Sequence, residues 1–553
     1  LLRATITFVA VAWAMSSIAQ IHDPRAIEAN PQTATSAIAP TLKGLGEHHM
    51  PVTTDNPQSQ YFFDQGVRLT YGFNHSEALR AFKEAARLDP DNAMAYWGWA
   101  LVLGPNLNLP MQPEVAAQAY QAISQAMALR DRVSARERAL IEALATRYAA
   151  LATEDRSALD RAYADAMADV VAAYPDDLDA ATLYAAALMN LQPWNYWYGD
   201  GTPKGNAAQL VALLESVIER SPDHPGALHY HIHLVEEKHP QRAVASADAL
   251  RPLMPGAGHM VHMPSHIYMR VGRYQESYAV NAAAAQADAD YIVQCRAQGI
   301  YPLNYYPHNM HFKVWSAMFL GQSQQALTDA GEIYRKIPPN VSGDGMGLFE
   351  SFLSQPMYVM VRFGMWDKIL ETDRPSDDAE FMLGVWHYGR ALAYQHKGER
   401  RAARRELAAL RSIAGSLNDS YLVGFGAAPT LLEIGAEVVE GDMAAARGKY
   451  DQAISHLEKA TRLQDSLRYS EPPDWYFPVR HVLGAVLLEA GHPAEAAAVY
   501  WQDLSDNPGN GYSLFGLQQA LAALGDDAGA ASAGQRFDAV WANADHTLTS
   551  SRF

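Results

Sequence analysis

Between His224 and His311 the sequence concentrates imidazole side chains at helical spacing. His259, His262 and His266 have offsets of three and seven residues, and at about 100° of rotation per helical residue all three fall on one narrow stripe. His308 and His311 repeat the spacing of three, and Trp315 follows on the same face. His229, His233 and Glu236 form another stripe at offsets of four and seven, while His231 points to the opposite side of that helix. Imidazoles and a carboxylate converging from neighbouring helices are how helical scaffolds build metal sites, and neutral imidazole suits copper, zinc, iron or nickel. The expected ligands are His259, His262, His266, His308 and His311, with His229, His233 and Glu236 as further ligands or as groups that orient them. Copper, zinc and iron all stay open as the transition metal. The competing reading is that these rings make ordinary hydrogen bonds inside a helical core.

Toward the C-terminus, EPPDWYFPVRH supplies Trp475, Tyr476, Arg480 and His481. With Trp315 these are candidates to bind a small organic substrate, Arg480 clamping a carboxylate or phosphate and the aromatics shaping the pocket. An interhelical salt bridge is the plainer role for Arg480, and packing is the plainer role for Tyr96, Trp97 and Trp99. The only cysteine is Cys295, so an intramolecular disulfide and a cysteine-based zinc site are both excluded, and any metal must rest on His and carboxylate. No phosphate loop, dinucleotide glycine fingerprint, HExxH or nucleophile elbow is present in a suitable context. Formal net charge is -18, from 61 acidic against 43 basic residues, and such a chain repels phosphate backbones. Nucleic acid is therefore not an expected partner.

These side chains need helices to position them, and the chain is organised by repeats. From Tyr61 to Pro90 it places Gly66 in a first helix, Asn74-His75 at a turn, then Ala78, Ala85 and Pro90. The order recurs at Gly272-Arg273-Tyr274 with Ser277 and Ala284, at Gly448-Lys449-Tyr450 with Ala453 and Ala460, and at Gly484, Gly491, Ala496 and Pro508. Gly permits the tight turn, Ala permits close helix approach, and Pro ends the second helix. Residues 57–545 resemble the tetratricopeptide-repeat (TPR) superfamily on this pattern. The resemblance implies an all-α fold, a right-handed superhelical solenoid of antiparallel helix pairs. YGFNHSEALRAF, HMPSHIYMRVGRY and YYPHNMHF are similar to a group of uncharacterised exported bacterial TPR proteins, a likeness that implies no activity. In the TPR register, counted back from their turns, His259, His262 and His266 take the second, fifth and ninth positions, and His308, His311 and Trp315 take the same three. The resemblance places those positions on the concave, ligand-binding face. His229 and His233 fall one position off that register, and Pro264 interrupts the helix expected from about His259 to Val271.

Residues 1–19 read as a signal peptide: Arg3, an apolar run from Ala4 to Met15, and small residues before Gln20. Residues 20–56 read as a flexible segment and 546–553 as a C-terminal tail, with insertions near 105–160, 192–206 and 291–307. The expectation is a periplasmic or secreted protein without stable membrane insertion. Two functions remain open. One is a His-rich metal site on the concave face, extending to a metal-dependent oxidoreductase or hydrolase acting on a small organic substrate. The other is a cell-envelope scaffold binding a protein or peptide partner in the concave groove.

Overall fold

The computed structural model describes residues 37–295, 304–337 and 346–553. The expected signal peptide, the first part of the expected flexible segment, and residues 296–303 of the third insertion lie outside these. The chain divides into two compact units: an N-terminal unit of residues 24–267 and 283–301, and a C-terminal unit that contains 268–282 and 302–553.

The described chain is almost entirely α-helical. Its first helices are α1 Pro57–Tyr71, α2 His75–Leu88, α3 Ala93–Leu103, α4 Ala116–Leu129, α5 Ala135–Ala145, α6 Ser157–Ala173 and α7 Leu178–Asn190. There follow α8 Ala207–Arg220, α9 Pro225–Val235, α10 Val244–Leu250 and α11 Gly258–His262, with the unit boundary running through α12 Pro264–Arg270 and α13 Tyr274–Cys295. The C-terminal unit continues with α14 Tyr306–Phe319, α15 Ser323–Lys336, α16 Gly347–Arg362, α17 Trp366–Leu370, α18 Glu380–His396 and α19 Arg400–Ser416. It ends with α20 Ala428–Ala445, α21 Tyr450–Asp465, α22 Arg480–Glu489, α23 Pro493–Asp506, α24 Gly511–Ala523 and α25 Asp527–Trp541. A two-residue antiparallel pairing, Leu422–Val423 with Gly426–Ala427, precedes α20. Among the described residues no helix is long and apolar enough to cross a membrane.

Successive helices pack as pairs, α1 on α2, α18 on α19, α20 on α21, and alternate helices also touch, α1 with α3 and α22 with α24. That is the contact pattern of stacked helical repeats. Side-chain caps start many helices: the Asn56, Asn74, Asn92 and Asp177 oxygens accept backbone N–H groups of α1, α2, α3 and α7. A recurrent wedge sets the interhelical spacing. The Phe82 ring of α2 fills the space above Gly66 of α1 and Gly98 of α3, where added Cβ atoms would approach it to 2.6 and 2.4 Å. Tyr500 of α23 fills the same space between Gly484 of α22 and Gly516 of α24.

Seven turns between helices share one device. Gly272, Gly321, Gly364, Gly398, Gly448, Gly491 and Gly525 all have positive φ, and in each case the following N–H closes the turn on a carbonyl of the preceding helix. A residue in the left-handed region after a helix is normally glycine, which lacks the Cβ that makes this conformation costly. At the α1–α2 turn the same hydrogen bonds are made, Phe73 N–H to the Thr70 carbonyl and Asn74 N–H to the Leu69 carbonyl. There the left-handed residue is Phe73, at φ 56°.

Residues 37–56 differ from the flexible segment expected. Ala39, Leu42, Leu45 and Met50 are buried. Leu42 N–H donates to Gln65 Oε1 at 2.9 Å and Met50 N–H to Asp64 Oδ1 at 3.1 Å, so the segment is tied along α1. The expected tail 546–553 is also packed: Leu548 and Ser551 are buried, Ser551 Oγ donates to the His481 carbonyl, and the Arg552 carbonyl accepts from Arg362. Low helical periodicity in both segments signalled the absence of helix, and the polar side chains on α1 and α16 that hold them are remote in sequence.

Candidate metal centre

The N-terminal unit brings together His229 and His233 of α9 with His259 of α11, one ligand atom from each lying within 4.8 Å of the other two. All three are interior, at 0, 3 and 2% exposure. Helix α9 starts at Pro225 behind a His224 cap and packs on α1 and α7. Its second residue, Gly226, lies against the Tyr71 ring, where a Cβ would sit 2.4 Å from Cδ1. That approach brings the end of α1 onto the histidine face of α9.

The hydrogen bonds assign the proton on one ring. His229 Nδ1 lies 2.6 Å from the Tyr71 carbonyl, which can only accept, so Nδ1 carries the hydrogen and Nε2 carries the lone pair. His229 Nε2 is buried without a hydrogen-bond partner, and so are both ring nitrogens of His233. Burial, reinforced by the neighbouring His233 ring, holds His229 well below the usual histidine range; burial and His266 do the same to His233. Both rings are therefore neutral and keep their lone pairs, the state a metal requires. A backbone carbonyl receiving the far N–H of a ligand histidine is the usual way a protein orients such a ring.

Glu236 and the remaining histidines lie alongside. Glu236 Oε2 is 3.5 Å from His233 Nδ1 and 3.1 Å from His266 Nδ1. His262 and His266 bring their Nε2 atoms to 2.9 Å, and Ser265 Oγ is 3.2 Å from His262 Nδ1. The helix expected over these residues, with its interruption at Pro264, is two: α11 ends at His262 and α12 begins at Pro264, whose ring nitrogen has no hydrogen to continue the ladder. His259 therefore joins α9, and His262 pairs with His266. The five histidines His229, His233, His259, His262 and His266 are all interior, at 4% exposure or less. His231 points away as expected, its Nδ1 2.9 Å from Ser246 Oγ.

A second group, not anticipated, is His48, Asp179 and His224. His48 Nε2 and His224 Nε2 lie 2.9 and 3.3 Å from Asp179 Oδ1, which also accepts from the Tyr71 hydroxyl at 2.7 Å. His224 Nδ1 accepts the Ala227 N–H, so its proton resides on Nε2 and is directed at the carboxylate. That tautomer describes a hydrogen-bonded lock, with the Asp179 carboxyl held well below the usual range by these partners against its burial. The same test separates it from the group at His229, where the inward nitrogen holds the lone pair. His48 was missed because it lies in a segment with no helical period.

No protein-family model matches the chain, and no curated protein matches it. Among solved structures, a human IFIT1 dimer with m7Gppp-AAAA is similar at 12% identity and a TM-score of 0.31, covering 89% of this chain and 92% of that one. A human IFIT1 dimer with PPP-AAAA gives 14% identity and 0.31, covering 87% and 96%. The structure of Naa15/Naa10 bound to HypK-THB gives 12% and 0.20, covering 87% and 70%. At such TM-scores these likenesses carry no argument about fold, site or partner. The reading of the site rests on its own geometry.

The other candidates lie in the C-terminal unit. His308 and His311 are on α14; His311 is interior, edge-on to Phe352, and burial lowers it to about 3. Trp315 and Trp475 line one cavity of about 160 Å³ with Arg270, Tyr469 and Asp474, whose carboxyl burial pushes up to about 7. Tyr476, Arg480 and His481 do not line it. Tyr476 stacks on Tyr358 at 4.1 Å. Arg480 forms a bidentate pair with Asp465 at 2.7 and 2.8 Å, its guanidinium already committed. His481 is 1% exposed, accepts from Arg362 at 3.1 Å and donates to Asp503 at 2.9 Å, a buried network that Ser513 and Asn510 complete on the carboxylate. Its fully used nitrogens make it a core residue.

Proposed function

We propose that this chain is an exported TPR-type helical-repeat protein whose N-terminal unit holds a late first-row transition-metal ion on His229, His233 and His259. The observation that carries the reading is the set of buried imidazole nitrogens, His229 Nε2 and both of His233, that have no hydrogen-bond partner and converge with His259. An unpaired buried acceptor costs free energy, about 1–3 kcal/mol each, which a metal bond removes. Glu236, His266 and His262 stand beside the ligands as orienting groups. The chemistry such a group supplies is Lewis acidity or, with copper or iron, electron transfer. A metal-dependent enzyme needs an open coordination position as well.

Metal analysis of the purified full chain tests the reading, with His229→Ala and His233→Ala beside the wild type. About one equivalent of a transition metal, lost in both variants, is expected. A wild-type protein that neither contains nor takes up such a metal would sink it.

A second reading, a cell-envelope scaffold that binds a protein or peptide partner in a concave groove, is supported by the stacked helix pairs, an architecture that commonly presents extended binding surfaces. Its test is affinity capture from envelope extract. A stoichiometric partner retained after chelation supports the scaffold, and one released by chelation joins the two readings.

A further inference from the structure

Among the described residues, the non-glycine positions with left-handed backbone are Phe73, at φ 56°, and Trp194, at φ 58°. Bulky aromatic side chains avoid this region, because Cβ crowds the backbone there. Phe73 belongs to the α1–α2 turn and Trp194 to the loop before α8, yet both pack on His233. Phe73 lies parallel to the His233 ring, centroids 5.9 Å apart and planes 10° apart, and also meets His259 at 5.6 Å and His229 at 4.5 Å. Trp194 stands edge-on to His233 at 5.1 Å. Phe73 occupies the turn position that glycine takes in seven later turns, so the chain departs from that conformational rule where an aromatic ring can cover the three histidines. Strained backbone held in place at one spot points to a use for the side chain it presents.

Resting on the metal reading above, we propose that Phe73 and Trp194 close the trihistidine group into a dry, three-coordinate site that selects monovalent copper. The three donors that converge are imidazoles, and Glu236, whose Oε2 lies 3.5 Å from His233 Nδ1, stands beside that ring as its orienting partner. The desolvation cost of an ion rises with the square of its charge, so a buried site whose donors are neutral rings favours a monovalent cation. Zinc in proteins takes four ligands, the fourth commonly water, whereas three donors converge here and Phe73 and Trp194 pack against their rings. Closed-shell monovalent copper accepts three imidazoles in a plane.

The test uses the purified full chain stripped of metal, titrated with copper(I) against bathocuproine disulfonate and with zinc against a chromophoric chelator. Copper(I) is expected to bind more tightly than zinc by at least about a hundredfold. Copper-edge absorption should show three nitrogen neighbours and no fourth light atom. Phe73→Gly installs the glycine of seven later turns, so the fold should be retained while the copper preference drops at least about tenfold as water enters. Trp194→Gly, in an irregular loop, should act in the same direction. Zinc binding as tightly as copper(I), a four-atom shell, or an unchanged preference in both variants overturns the proposal. Zinc alone, lost in His233→Ala, would overturn it and leave the metal reading standing, whereas no binding of either ion overturns both.

Discussion

Residue types and helical offsets identify donors, but only neighbours decide which nitrogen is free. His229 and His224 are both interior histidines at the start of α9, and their far nitrogens have opposite roles because one meets a carbonyl and the other a backbone N–H. Tyr71 links the two environments: its hydroxyl donates to Asp179 while its carbonyl orients His229. Tyr71→Phe removes the first bond and keeps the second. It should destabilise the protein by about 1–2 kcal/mol in chemical denaturation and shift metal affinity by less than about threefold. A larger affinity loss would show that the Asp179 lock reaches the metal ligands. His311 gives a pH prediction. The unfolded ring takes a proton near 6.5 and the folded ring only near 3, so the unfolded state binds more protons in between. Stability should therefore fall on acidification across that window, by roughly 1.4 kcal/mol per pH unit for this ring. Denaturation curves of wild type and His311→Gln, compared from pH 7 to pH 4, check it through a shallower slope in the variant.

At the scale of elements, the repeat is set by small residues opposite large ones. Gly66→Ala would place Cβ 2.6 Å from the Phe82 ring, and Gly484→Ala would place it 2.5 Å from Tyr500. Each should lower stability by about 1–3 kcal/mol, and Phe82→Leu should recover part of the first loss. Thermal denaturation measures both, and shifts below about 0.5 kcal/mol would show that these wedges do not set the spacing. Helix pairs and turn glycines were legible from local spacing, since each is decided within one hairpin. The break at Pro264 was legible as an interruption, but its effect was not. Ending α11 at His262 puts His259 and His266 on separate helices, both against His233, and no offset along a single helix contains that.

For the whole molecule, the proposed metal would tie α9 to α11 across the intervening α10. Saturating metal should raise the apparent stability of the stripped protein by about 2.7 kcal/mol at a hundred times the dissociation constant, and His233→Ala should remove the gain. A melting temperature indifferent to metal would contradict the site. By itself the sequence determined an all-helical repeat architecture, the limit of any metal ligands to imidazole and carboxylate, and the histidine-dense stretch where such donors gather. These follow from composition and from periods of one helix or one repeat. The tertiary structure decided which histidines meet. It moved His229 and His233 from the margin of the expected site to its centre, committed Arg480 and His481 to internal pairs, and packed residues 37–56 along α1. It also set Phe73 and Trp194 against His233. The physical reason is that a lone pair's availability depends on what lies within a hydrogen bond of it, and in an interior site those neighbours come from loops and helices whose distance along the chain carries no period.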